Sequence, residues 1–262
     1  MNEEIELKKV DGVATITINR PEKRNAINYD GWLELQRISN MVDQDKDVKV
    51  VIIQGSGQDA FSSGADIADF DNYRSNSAKA IIYAEAFEGA MNAIEAISKP
   101  TISSIKGYCI GGGCEMSMAT DMRFAAENST FGIPVAHLGI LIGYSEMTRL
   151  LRLVGAGNAS YILLSGKTIN SDEALRIGLI NAVYPVDQLD EFVMNLAISM
   201  VPLAPLSQSK HKKIMQKVLS NPGLEKLTEE ESLLPFTNFD SVDFLEGRKA
   251  FLEKRKPKFK GL

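Results

Sequence analysis

With 262 residues, 44% apolar and 24% charged, the chain is long enough for one large domain, or one domain with a small appendage, and too apolar for a disordered protein. A net charge of −5 argues against nucleic acid as a partner of the whole protein. The charge is uneven, however: residues 248–262 carry a net +6 and the remainder −11.

In chain order, "EIELKKVDGVATITINRP" reads as two short strands around a turn at Asp11-Gly12. Trp32, Leu35, Ile38, Met41 and Val42 recur at helical spacing from Tyr29 to about Asp43. "VKVVIIQGSG" is a β-branched run of the kind that forms a parallel strand buried on both faces. A polar loop over 55–77 precedes a helix at about 78–97, which stops before Pro100. "TISSIKG" is a strand, 112–119 a short helix and "MRFAA" a strand, and "FGIPVAHLGILIG" reads as a loop. Helices are expected at about 145–154 and 157–165, then a short helix capped by Ser171, then a strand in "INAVYP". After Val186 the pattern is helical throughout: 187–200, 205–219, 223–233 and 241–254. Strand and helix alternate first and helices alone follow, so the fold class is α/β with a C-terminal helical region.

Cys109 and Cys114 form no CxxC pair and have no neighbouring histidines, so free thiols and no metal are expected. The acidic N-terminus lacks the apolar stretch of a signal peptide, and no apolar run reaches membrane-spanning length. The expected protein is cytoplasmic, with no membrane and no nucleic-acid partner.

Two loops carry the chemistry. "AFSSGADI" (60–67) and "CIGGGCEM" (109–116) each follow a buried-type strand and run through glycine toward a helix. Such loops lie where open α/β folds place their ligands. The Walker pattern and GxGxxG are both absent, which disfavours nucleotide binding of those types. Two backbone amides, one from each loop, converging on one oxygen would make an oxyanion hole.

In order and spacing, "NRPEKRNAIN" (19–28), "AFSSGADI", "KPTISSIKGYCIGGGCEMSMATDMRFA" (99–125), "FGIPVAHLGI" (131–140) and "LLSGKTINSDEALRIGLINAVYP" (163–185) resemble the enoyl-CoA hydratase/isomerase, or crotonase, superfamily over nearly the whole chain. The resemblance implies a crotonase-like spiral of ββα units, with an acyl-CoA-binding core over 1–200 and a helical trimerisation region over 201–262. It implies an acyl-CoA thioester substrate, no cofactor beyond its CoA moiety, and a homo-trimer or a hexamer built as a dimer of trimers.

The family's oxyanion amides fall on Ala65 and Gly112, beside Gly64, Asp66 and Gly111. The carbonyls of Ser63 and Ile67 would hold the adenine amino group. Arg24 and Ala26 would line the pantetheine and phosphate path. Phe259 and Lys260, on a basic C-terminal helix, would reach the nucleotide bound by a neighbouring copy.

Glu115 stands where the family's hydratases keep their first catalytic glutamate, and with Met116 and Met118 beside it burial should raise its pKa. The second glutamate's position is Val135, which cannot exchange a proton. Two nearby residues are further acid/base candidates: His137, and Glu146 just beyond Gly143. With that substitution, the reaction stays open between hydration and another reaction of the family, such as a double-bond shift, decarboxylation or thioester hydrolysis. A non-catalytic CoA-ester binder is the rival class. The segment 68–90 is expected to shape the acyl pocket.

Overall fold

The computed structural model describes residues 4–262. Strands β1 (Ile5–Val10) and β2 (Val13–Ile18) form an antiparallel hairpin. Its turn residues Asp11 and Gly12 both have positive φ, the geometry that suits tight hairpin turns. β2 then pairs in parallel with β3 (Val50–Gly55), whose first four residues are all buried. Helix α1 (Tyr29–Gln44) connects them, capped by the Asn28 side chain accepting from the Gly31 amide.

From β3 onward the chain repeats one pattern. Three large-sheet strands are each followed at once by a three-residue strand in a second sheet. β3 leads to β4 (Ala60–Ser62), β5 (Thr101–Ile105) to β6 (Tyr108–Ile110), and β7 (Met122–Ala126) to β8 (Thr130–Gly132). After β4 come the single turn α2 (Phe70–Tyr73) and the long α3 (Ser77–Ala96). After β6 comes α4 (Gly112–Met118), and after β8 comes α5 (Tyr144–Ser165). The short β9 (Ile169–Asn170), α6 (Ser171–Arg176) and β10 (Ala182–Tyr184) complete the winding. The larger sheet has the order β1-β2-β3-β5-β7-β10 and the smaller β4-β6-β8-β9. Both are parallel apart from the β1–β2 and β8–β9 pairs. The fold is therefore a spiral of ββα units.

The main core lies between the sheets and α1, α3, α4 and α5, around Trp32, Phe61, Met91 and Phe131. A smaller core forms where α7 (Leu189–Met200) covers the outer face of the large sheet through Leu189, Val193 and Ala197. Only helices follow: α8 (Pro205–Ser220), α9 (Glu229–Leu233) and α10 (Val242–Leu252).

Several local expectations need correction. The loop over 55–77 contains β4 and α2, and the loop after Ala126 contains β8 and a 3₁₀ turn at Val135–Leu138. The two helices expected after Gly143 are both present within α5, separated by a break at Gly155, whose φ of 72° leaves the helical path. Asn170, not Ser171, caps α6; the Ser171 hydroxyl donates to the Glu127 carbonyl. The last helix ends at Leu252, so Phe259 and Lys260 lie on a non-helical tail.

Candidate active site

The parallel pairing of β4, β6 and β8 sends three successive connections out at one edge of the small sheet. These supply Ser63, Ala65 and Ile67, then Gly111, Gly112 and Glu115, then Pro134 and Val135. All eight line one cavity of about 640 Å³, which α2, α3 and the start of α5 close. One face of α3 (Ser77, Ala80, Ile81, Ala84, Phe87, Glu88) forms a wall at helical spacing. The segment expected to shape the acyl pocket thus lines the cavity that holds Glu115.

The first two connections touch. An idealised Cβ on Gly64 (φ 91°) would lie 2.7 Å from the Gly112 nitrogen, and one on Gly112 would lie 3.5 Å from the Ala65 nitrogen. Only a residue without a side chain lets the loops approach so closely. The Gly112 amide opens α4 and has no intrahelical acceptor. The Ala65 amide has no acceptor among the described residues. Two free donors therefore sit side by side on the cavity wall.

The segment 20–28 braces the first loop. The Ile27 amide donates to the Gly64 carbonyl, the Asp66 amide to the Ile27 carbonyl, and the Ser63 amide to the Arg24 carbonyl. The buried Asn25 side chain donates to the Ser56 and Ala60 carbonyls. Asp66 caps the turn after the loop by accepting from the Ala68 amide, and it pairs with Arg20 and Lys23. Ala26 is buried, with its carbonyl accepting from Arg20, and the Arg24 guanidinium lies 4.8 Å over the Tyr108 ring, outside the cavity.

Glu115 projects from the first turn of α4 and is 6% exposed. No group among the described residues hydrogen-bonds its carboxyl. Burial, with the negative charge of Glu146 next in effect, pushes its pKa up to about 8, against smaller pulls from Arg74 and Arg149. Glu146, 1% exposed, enters the same cavity from the first turn of α5. Burial raises its pKa too, and Glu88 adds to the rise, whereas Arg149 and the amides of Gly143 and Glu146 itself oppose it.

Arg149 sits 3.4 Å from Glu146 Oε1 and is held by Glu95 at 2.6 Å and by Asn92 at 2.7 Å. Gly143 makes room for this cluster: a Cβ there would collide with Glu146 Oε2 and lie 2.9 Å from Glu88 Oε1.

Val135 lines the cavity and offers no proton-transfer group. His137 reaches the cavity rim exposed, with Nε2 3.3 Å from the Gly166 carbonyl. Phe259 packs over Gly247, and the Lys260 amide donates to buried Asp243 at 2.7 Å, so neither lines the cavity. Sequence reasoning did not find Arg74, Glu88 or Arg149. The one legible signal was the i, i+3 spacing of Glu146 and Arg149, which places them on one helix face.

The spiral of ββα units is an α/β fold in which one cavity holds a buried carboxyl and two adjacent backbone amides with no acceptor among the described residues. The chain belongs to the enoyl-CoA hydratase/isomerase family, whose model matches residues 8–262. It is 37% identical to a crotonyl-CoA hydratase of Syntrophomonas wolfei over 261 residues, covering 98% of each chain. It is 33% identical to a short-chain-enoyl-CoA hydratase of Clostridium acetobutylicum, covering 95% of each. Its fold matches the crystal structure of an enoyl-CoA hydratase/carnithine racemase from Magnetospirillum magneticum with a TM-score of 0.95 at 33% identity, over 100% of this chain and 97% of that one. The protein is thus an enzyme of this family that acts on CoA thioesters.

Proposed function

We propose that the enzyme adds water across the double bond of an α,β-unsaturated acyl-CoA, with Glu115 and Glu146 as its two proton-transfer groups. The observation that carries this reading is the presence of two buried carboxyls in one cavity although Val135 occupies the position where hydratases of the family keep their second glutamate. Crotonyl-CoA and short-chain enoyl-CoA, named for the two relatives, set the class of substrate to try first.

The thioester oxygen accepts hydrogen bonds from the Ala65 and Gly112 amides. Water attacks C3, and its proton passes to Glu146, which Arg149 favours as the carboxylate. The C2–C3 π pair moves toward the thioester, and the charge that develops on its oxygen is stabilised by the two amides. C2 then takes the proton that Glu115 holds at neutral pH. Proton return from Glu146 to Glu115 completes the cycle, so the net change is the addition of one water. Two carboxyls in different surroundings, Glu146 beside Arg149 and Glu115 with no ion pair among the described residues, divide the acid and base roles.

The rest of the CoA falls on the first loop and on the segments beside it. The Ser63 and Ile67 carbonyls receive the adenine amino group, and Arg24 and Ala26 flank the pantetheine. Phe259 and Lys260 serve the nucleotide of a neighbouring copy in a trimer or hexamer. Supporting that assembly, Phe236, Phe239, Phe251 and Leu252 are 59–84% exposed in the helical region.

Mass spectrometry of crotonyl-CoA incubated with the protein tests the reaction type. The expected product has gained one water. A product of unchanged mass with a shifted double bond would replace hydration by isomerisation on Glu115 alone.

A further inference from the structure

Arg74 is the one arginine that lines this cavity among the described residues. It follows α2, two residues before the Asn76 cap of α3, and it lines the same cavity as Glu115. Its guanidinium lies over two rings, 4.7 Å from the Phe70 centroid and 5.0 Å from that of Tyr83. Both rings are held in place. Tyr83 is buried and its hydroxyl accepts from Trp32 Nε1 at 2.8 Å, while Phe70 is fixed by its turn of helix.

Among the described residues, no carboxylate lies within ion-pair distance of the Arg74 guanidinium and no acceptor hydrogen-bonds it. Three acids of this region are engaged elsewhere. Asp69 accepts from the Tyr29 amide, Asp66 binds Arg20 and Lys23, and Glu146 faces Arg149. Glu115 feels Arg74 only as a charge at a distance, and it holds its proton at neutral pH. The half-buried Arg74 thus sets its guanidinium against two aromatic rings, and its five N–H donors meet no acceptor among the described residues. Burying a cation without a partner is costly; a guanidinium fork matches carboxylate and phosphate alike, and of these a carboxylate is the one an acyl chain can carry.

We propose that the preferred substrate is a dicarboxylic acyl-CoA, whose free carboxylate, at the end of the acyl chain beyond C3, is received by Arg74. The inference rests on the reading of this cavity as the acyl site, and it adds the chemistry of the far end of the acyl group. Phe70, Ile81 and Tyr83 would pack the intervening methylenes, and Arg74 would terminate the chain.

Saturated thioesters test this without turnover. Calorimetric Kd values are to be compared for glutaryl-CoA and pentanoyl-CoA, which have equal acyl length and differ in a terminal carboxylate against a methyl. A second pair is adipyl-CoA and hexanoyl-CoA. Any contact of Arg74 with the CoA phosphates cancels in each ratio.

The wild type should bind the dicarboxylic member of at least one pair about 10- to 100-fold more tightly. Arg74→Gln should abolish or reverse the preference, and Arg74→Lys should retain part of it. A wild-type ratio of one or less in both pairs overturns the proposal. So does a preference that survives unchanged in Arg74→Gln, or a Gln variant that weakens both members equally, which would leave Arg74 only an electrostatic neighbour of Glu115. Failure of the wild type to bind any of the four would overturn the acyl-site reading as well. A dicarboxylic preference without hydration of any enoyl-CoA would overturn the proposed reaction and leave this inference standing.

Discussion

At neutral pH Glu115 keeps its proton because ionising it would place a charge in a pocket that offers its carboxyl no hydrogen bond and already holds Glu146. The same burial couples catalysis to stability. Its ordinary pKa is 4.5 and its folded value is about 8. Below 4.5 the group is neutral in both states and burial carries no ionisation cost. Between 4.5 and 8 the unfolded chain ionises while the folded one does not, so stability falls as pH rises, by up to about 3 kcal/mol at neutral pH.

Glu115→Gln is therefore expected to melt a few degrees above the wild type at pH 8 and to converge with it near pH 4.5. Calorimetric scans across that range check it; a constant difference would mean that the folded pKa is not raised. In turnover, an acid with a pKa near 8 should make kcat/KM decline above that pH, and the residual activity of Glu115→Gln should lack this limb. A pH–rate profile of both proteins reads the difference directly.

At the scale of elements, the site depends on two connections that touch, which makes Gly64 the sensitive position. An alanine there would sit at positive φ with its Cβ 2.7 Å from the Gly112 nitrogen, forcing the two amides apart. Gly64→Ala is expected to lower kcat by about 10²–10³-fold while the far-UV circular dichroism stays native. Unchanged kcat would remove the paired amides from the mechanism.

The glycine loops and Glu115 were legible in sequence because glycine and a lone acid in apolar company each have a local physical meaning. The second sheet was not. β4, β6 and β8 are three residues each, too short to display a period of two, and pairing across the spiral rather than local pattern makes them strands. Arg74, Glu88 and Arg149 were hidden for the same reason. On the chain Arg74 reads as an ordinary charge of a polar loop and Glu88 and Arg149 as ordinary charges of helices, and only the winding of the spiral brings them together around one cavity. Val135 and Glu146, by contrast, could be named from the sequence, but their shared cavity could not.

For the whole molecule, the uneven charge finds a partial account. Arg255 pairs with Glu246 at 2.6 Å and with Glu253 at 2.7 Å, and Asp243 accepts from the Lys260 and Gly261 amides. The basic tail is thereby tied to α10, leaving lysines such as Lys256 and Lys258 to present positive charge. The exposed apolar residues around it match the proposed trimer or hexamer. Light scattering should find such an assembly, and Phe251→Glu, at a side chain 84% exposed, should shift it toward smaller species. A monomeric wild type would leave that surface without the proposed role.

Hydration that runs on Glu115, with Glu146 in place of a carboxylate at Val135, is tested by following the loss of the conjugated-thioester absorbance of crotonyl-CoA and longer enoyl-CoAs in the wild type, Glu115→Gln, Glu146→Gln and the double variant. Rapid loss is expected in the wild type, with a fall of about 10²–10⁴-fold in each single variant and little further fall in the double, because the two residues act as one unit. Full activity in Glu146→Gln would contradict it, since the second proton-transfer group would then have to lie elsewhere.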